Sequence, residues 1–336
     1  MNGGLSASIE STTVGRTAAG TGAISASSLP IFADLTGSTE ASVSLADSRA
    51  FCEQLTRAKA RNFYYGLKLL PEPKRSDMFA LYAYMRMIDD IADDDGEGRS
   101  FEQRLEDLDA WKVVTRAVLN GDHHFAAGAG HELWPAFADM ARRNRIPTTI
   151  FDDVIAGQLQ DLQPETFETF DQLYQYCYRV AGTVGLASIY VWGFDRGEDG
   201  GEETCQLAID RGVAFQLTNI LRDLREDAAR GRTYLPKEDL VAAGVTEADI
   251  SSGAGGERFL AMMRHQIDRA EAYYAKSAPL ESRIAQDSRP TLVAMTQIYH
   301  GLLRKLAVEP ERVLRERVSL SLFTKLMIGW RASWGR

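Results

Sequence analysis

Between Gln216 and Pro236 the chain reads QLTNILRDLREDAARGRTYLP. At about 100° per residue, Gln216, Asn219, Asp223 and Asp227 fall within an arc of roughly 80° on one helix face. Two carboxamides and two carboxylates in a row do not make a packing face. Like charges four residues apart destabilise an isolated helix by about a few tenths of a kcal/mol, so the stripe requires a cation among its members. Oxygen ligands on consecutive turns suit Mg²⁺, which accepts substrate phosphates into its shell, and metal-bound diphosphate is the ligand this pattern predicts.

A second acidic stretch, MRMIDDIADDD, places Asp89 and Asp93 four apart, and likewise Asp90 and Asp94. Alone, it reads best as a solvated helix end, although carboxylates there oppose the helix dipole. Two helices with the same spacing change the balance. Laid antiparallel in a bundle, they would face one another across a cavity in which Mg²⁺ bridges carboxylates and diphosphate. Arg86, Arg222 and Arg232 stand within a few residues and suit bidentate contact with phosphate oxygens. The competing reading is a salt-bridge network inside packed helices.

The remainder of the chain is helical by periodicity. The pattern predicts a first helix over 48–70, a second capped by Ser76, and a third from the capping box Ser100/Gln103 to Val118, closed by Gly121. Helices over 132–144 and 148–162 flank Pro147, and Thr169/Gln172 repeats the capping-box signature before a long helix. In that helix Gly182 and Gly185 permit close approach of another backbone or a ligand. The acidic-stripe helix spans 202–229, stopped by Gly231 and Pro236. After the loop 251–256 come a helix with Phe259, Met263, Ile267, Ala270 and Tyr274 on one side, then one opened by Pro290. No stretch alternates with period two, so the fold class is all-α: a single-domain helical bundle with a central cavity over 49–336. Residues 1–48, rich in Ser, Ala, Thr and Gly, are expected to form a disordered tail.

A net charge of −9 disfavours a nucleic-acid binder, so an anionic ligand must be held locally by metal or a few arginines. Three widely spaced cysteines suggest neither a disulfide framework nor a zinc site, and no run of 18 or more apolar residues could span a bilayer. These features favour the cytoplasm. The final stripe of Leu320, Phe323, Met327, Trp330 and Trp334 reads first as a helix packing on the bundle and second as peripheral membrane contact.

Taken together, Asp89-x-x-x-Asp93 with Tyr82 and Arg86, the segment YCYRVAGTVG at 176–185, and Gln216–Pro236 resemble the squalene and phytoene synthase family over most of residues 49–330. The resemblance implies an all-α isoprenoid-synthase fold that joins two prenyl diphosphates head to head with Mg²⁺. It assigns Asp89, Asp93, Asp223 and Asp227 to the metal, and Arg86, Arg222, Arg232, Tyr234, Gln216 and Asn219 to the diphosphate. Tyr176, Val180, Val184 and Gly185 match the segment lining the cavity, and Phe63 an aromatic near the substrate tails. Many relatives carry Ser-x-Ser-Phe where this chain has Ala60-Arg61-Asn62-Phe63, which leaves Asn62 and Arg61 as replacement donors.

The implied reaction ionises one substrate in a dry cavity, lets the double bond of the second attack, and passes through a cyclopropyl-carbinyl diphosphate. Tyr82, Tyr176 and Phe63 offer aromatic faces to cationic carbon, at about 0.5–2 kcal/mol per contact. Tyr176 is the candidate polar group near the reacting carbons. The products are phytoene from geranylgeranyl diphosphate, or presqualene diphosphate and squalene from farnesyl diphosphate, with NADPH required only for squalene. The expected partners are these substrates and downstream isoprenoid enzymes. A head-to-tail prenyl transferase or terpene cyclase shares the first motif but not NILRDLRED, and a non-catalytic scaffold would be marked by loss of motif carboxylates.

Overall fold

The computed structural model describes residues 43–60, 62–92, 98–121, 132–162 and 166–321, with 324, 327, 328, 331 and 332 beyond. Ser44 caps the first helix, α1 (Leu45–Lys59), by accepting from the Asp47 N–H. The body therefore begins ahead of the expected boundary at 49. Buried Ser48 fixes that start by accepting from Ala136 N at 2.9 Å. The helix expected over 48–70 is two, because α1 ends at Ala60 and α2 (Asn62–Leu67) restarts beyond it. Side chains of Asn62 and Phe63 lie outside the described residues, as do Arg61, Asp93 and Asp94.

The second acidic stretch ends α3 (Lys74–Ala92), which starts two residues before Ser76. Ser76 is no cap; Glu72 accepts from its N–H at 3.2 Å. Tyr84 and Ile88 are fully buried, whereas Tyr82, Arg86 and Asp89 on the other side are half-buried. Tyr84 stacks on Phe137 at 4.3 Å and meets Trp111 and Phe151. This aromatic cluster holds α3 against α4 (Phe101–Leu119), α5 (Trp134–Asn144) and α6 (Thr148–Asp161). The box Ser100/Gln103 forms as predicted, with both of its hydrogen bonds present. Arg99 and Arg104 donate at 2.9 Å to the Asp90 and Ala92 carbonyls, supplying positive charge where the acidic residues oppose the dipole.

Thr169 caps α7 (Phe170–Cys177), but Gln172 accepts from Glu168 N rather than Thr169 N, so the expected box is half-formed. A π-helical turn over Tyr178–Gly182 joins α7 to α8 (Thr183–Trp192). Next comes α9 (Glu202–Ala229), 28 residues long. At 1.5 Å per residue it spans about 42 Å. Close approach occurs at Gly185, as predicted, and also at Gly212, which the sequence reading did not single out. A Cβ on Gly185 would lie 2.5 Å from Ala208 O, and one on Gly212 would lie 2.4 Å from Ala181 O. The chain continues through α10 (Lys237–Ala243), α11 (Glu247–Ser252), α12 (Glu257–Lys276), α13 (Leu280–Arg283) and α14 (Arg289–Val308) to a 3₁₀ turn at Pro310–Leu314.

Two hydrophobic clusters build the core. One joins α1 and α3–α6 to α8 and the start of α9; the other joins the rest of α9 to α7, α12 and α14. Among the described residues there is no strand, only an isolated bridge between Phe194 and Ile284. Of the final stripe, Phe323, Trp330 and Trp334 lie outside the described residues. No described helix is long and apolar enough to cross a membrane.

Candidate active site

α8 packs against both α3 and α9, so the two acidic helices flank it. On α9, Leu217, Ile220, Leu221 and Leu224 take the core side while Gln216, Asn219, Asp223 and Asp227 stay half-buried. The apolar face is what aims the polar stripe. Tyr299 of α14 sits between the motifs. Its hydroxyl contacts the Asn219 amide and lies in the field of Arg222, Asp223 and Arg317. Burial raises the Tyr82 hydroxyl, which lies in the field of Arg86, Asp89 and Asp90 on its own helix and of Tyr299.

A cavity of about 180 Å³ opens beside this junction. The π turn and α8 contribute Val180, Val184 and Gly185, and α9 contributes Arg211, Phe215, Gln216 and Asn219. Leu292, Met295 and Tyr299 close it from α14. Five sequence-predicted residues, Val180, Val184, Gly185, Gln216 and Asn219, thus share one space. Tyr176 does not line it. Instead it stacks on Tyr234 at 5.2 Å and meets Phe167 at 5.3 Å. A larger surface cleft, about 890 Å³, lies on the outer side of α14 around Arg289, Thr296 and His300 and carries none of the predicted residues.

Arg86 pairs with Asp89 at 3.2 Å and with Asp90. On α9, Arg222 grips the neighbouring Asp223, and Arg317 reaches the same carboxylate at 2.8 Å. Burial alone would raise the Asp223 carboxyl, but these two guanidiniums hold it below the usual range. Asp227 goes the other way. Burial and the Asp223 charge push it up to about 6 despite Arg230 and Arg232. Tyr176 is raised well above an ordinary phenol by burial, Asp161 and Tyr234.

Sequence reading missed four of the residues gathered here: Asp161, Phe215, Tyr299 and Arg317. Asp161 ends α6 and accepts from the Tyr176 hydroxyl at 2.8 Å. None of the four sits in an acidic or carboxamide motif, and each reaches its partner across helices, so no local signal marks them.

The family model described as squalene/phytoene synthase matches residues 56–324. The chain belongs to the squalene/phytoene synthase family. This synthase is 36% identical over 295 residues to the phytoene synthase of Arthrospira platensis, covering 84% of the chain and 91% of that relative. It is 33% identical over 295 residues to the 15-cis-phytoene synthase of Synechococcus elongatus, covering 86% and 93%. A solved dehydrosqualene synthase in complex with ligand superposes with a TM-score of 0.74 at 27% identity, covering 87% of this synthase and 97% of that chain. The synthase is a prenyltransferase-type enzyme for head-to-head condensation of prenyl diphosphates on the all-α isoprenoid-synthase fold.

Proposed function

We propose that the chain condenses two molecules of geranylgeranyl diphosphate into phytoene through a cyclopropyl-carbinyl diphosphate. What supports the reading is that Val180, Val184, Gly185, Gln216 and Asn219 line one cavity with Tyr299, whose hydroxyl lies in the field of Asp223 and Arg222. The choice of the C40 product over squalene rests on the names of the relatives with 33–36% identity.

The donor set fits Mg²⁺. Among the described residues no three His, Cys, Asp or Glu side chains converge to hold a metal alone. Mg²⁺ prefers oxygen ligands and completes its shell with substrate phosphates. Asn219 Oδ1 is buried without a partner at the same place, an oxygen available to a cation or its water. Asp89, Asp93, Asp223 and Asp227 would hold the metal, which when bound neutralises charge developing on the departing diphosphate.

Arg86, Arg222, Arg232 and Tyr234 bind and orient the diphosphate, with Gln216 and Asn219 fixing its cavity-side oxygens. Asn62 and Phe63 complete the substrate contacts at the diphosphate and the tails. Val180, Val184 and Gly185 exclude water from the tails, so the allylic cation forms in an apolar space where fixed dipoles act strongly. Tyr82 presents its ring to that cation, and Tyr176, oriented by Asp161 and stacked on Tyr234, acts on the rearrangement from outside the described cavity lining. The released diphosphate accepts the final proton, and no NADPH is consumed on the route to phytoene. The enzyme works in the cytoplasm, taking its substrates at the membrane surface and passing product to downstream isoprenoid enzymes.

The test is incubation of purified protein with Mg²⁺ and labelled farnesyl or geranylgeranyl diphosphate, followed by chromatography. A C40 hydrocarbon is expected. A C30 product would move the assignment to the squalene branch, and a longer linear diphosphate alone would move it to head-to-tail chemistry.

A further inference from the structure

Resting on that reading, we propose that Phe215 is the residue that sets how long a prenyl tail the cavity accepts, by stacking on Tyr299 as a movable plug. The cavity holds about 180 Å³. Small-molecule pockets span roughly 300–1,000 Å³, so a wall that yields would bring this cavity toward the size a prenyl tail needs.

Most of the walls have no slack. α9 is interlocked backbone to backbone with α8 at Gly185 and with the π turn at Gly212, where no Cβ could fit. At the base, Arg211 ties three elements together, donating from Nε to Ser277 Oγ at 2.8 Å, from Nη2 to Ser277 O at 3.0 Å, and from Nη1 to Thr296. Displacing it would strand a buried guanidinium, which is costly.

The Phe215–Tyr299 pair differs. Its rings stack at 4.4 Å and 17° between α9 and α14, and both line the cavity. Tyr299, half-buried like its neighbour, has its hydroxyl held by Asn219 within the field of the polar stripe, so it stays. Phe215 is half-buried and has no polar anchor. An aromatic pair contributes only about 0.5–1.5 kcal/mol beyond its area, so rotating one ring is the least costly way to enlarge this space. Phe215 shares the cavity lining with Gln216 and Asn219, so a tail whose diphosphate is held at the stripe passes this ring. A tail that displaces it gains the volume it vacates, and a smaller side chain there gives that volume permanently.

The test measures affinity of the full chain with Mg²⁺ for non-ionisable thiolo-diphosphate analogues of C15, C20 and C25 by calorimetry, in wild type, Phe215→Leu and Phe215→Ala. The expected result is a graded shift toward longer tails, with the C25:C15 affinity ratio rising about five-fold or more in Phe215→Ala. Phe215→Leu retains apolar bulk and keeps the test valid should the alanine variant fold poorly. An unchanged ratio in the leucine variant, with tails still bound, overturns the plug. Loss of binding to every analogue by wild type overturns the functional reading and this proposal with it, a pattern distinct from an unchanged ratio.

Discussion

The Tyr176 hydroxyl donates to Asp161 Oδ1 at 2.8 Å, joining α7 to the end of α6 beneath the ring of Tyr234. A carboxylate accepting from a buried phenol fixes its orientation and discourages its ionisation, in line with the raised Tyr176 hydroxyl. Asp161→Asn keeps an acceptor but removes the charge, and should lower kcat by about 10²-fold with little change in KM, as should Tyr176→Phe. Steady-state kinetics within three-fold of wild type for both would remove the pair from the chemistry.

Asp89→Ala and Asp223→Ala should each abolish turnover while leaving the helical circular dichroism in place. Asp223→Ala also releases Arg222 and Arg317 from their shared partner, so a modest loss of thermal stability accompanies it. Unfolded variants whose refolded remainder is active would mean that these carboxylates serve packing instead.

Asp227, with its carboxyl at about 6, holds its proton more tightly in the folded metal-free chain than in the unfolded one. Its contribution to stability is present below the ordinary carboxylate range and is lost as pH rises through about 6. A metal needs the ionised form, so Mg²⁺ affinity should climb through the same window, and Mg²⁺ should raise Tm more at pH 7.5 than at pH 5. Titrations giving equal affinity at both values would contradict this, and Asp227→Asn should flatten the dependence.

Gly212→Ala would put a methyl 2.4 Å from Ala181 O and 2.8 Å from Gly182 Cα. Both neighbours are backbone, so the helices must part, at a cost of about 1–3 kcal/mol. Chemical denaturation should show that loss. Equal stability would mean that α8 and α9 can slide freely past each other.

Cys52 is buried, which pushes its thiol up to about 12, and Cys177 is buried as well. Neither should react with thiol reagents at pH 8 in the native state, whereas half-buried Cys205 should react slowly. Peptide mapping after brief alkylation checks the order.

The stripe Gln216–Asp227, the capping box at Ser100 and the glycine approach at Gly185 were all legible in the sequence, because each is set within one helix by a fixed angular step or a local hydrogen bond. The same reasoning misjudged the segment 48–70, where the break at Ala60 leaves no proline or glycine to mark it. It also missed the π turn at Tyr178–Gly182, and that Tyr176 packs on Tyr234 instead of lining the cavity that Val180 lines. Tertiary structure alone decided that Arg317 reaches Asp223, that Asp161 orients Tyr176, and that Phe215 lies on Tyr299. Helical periodicity fixes which face a residue occupies, but the partner on the opposite face depends on how separate helices pack, and no spacing along one segment encodes that.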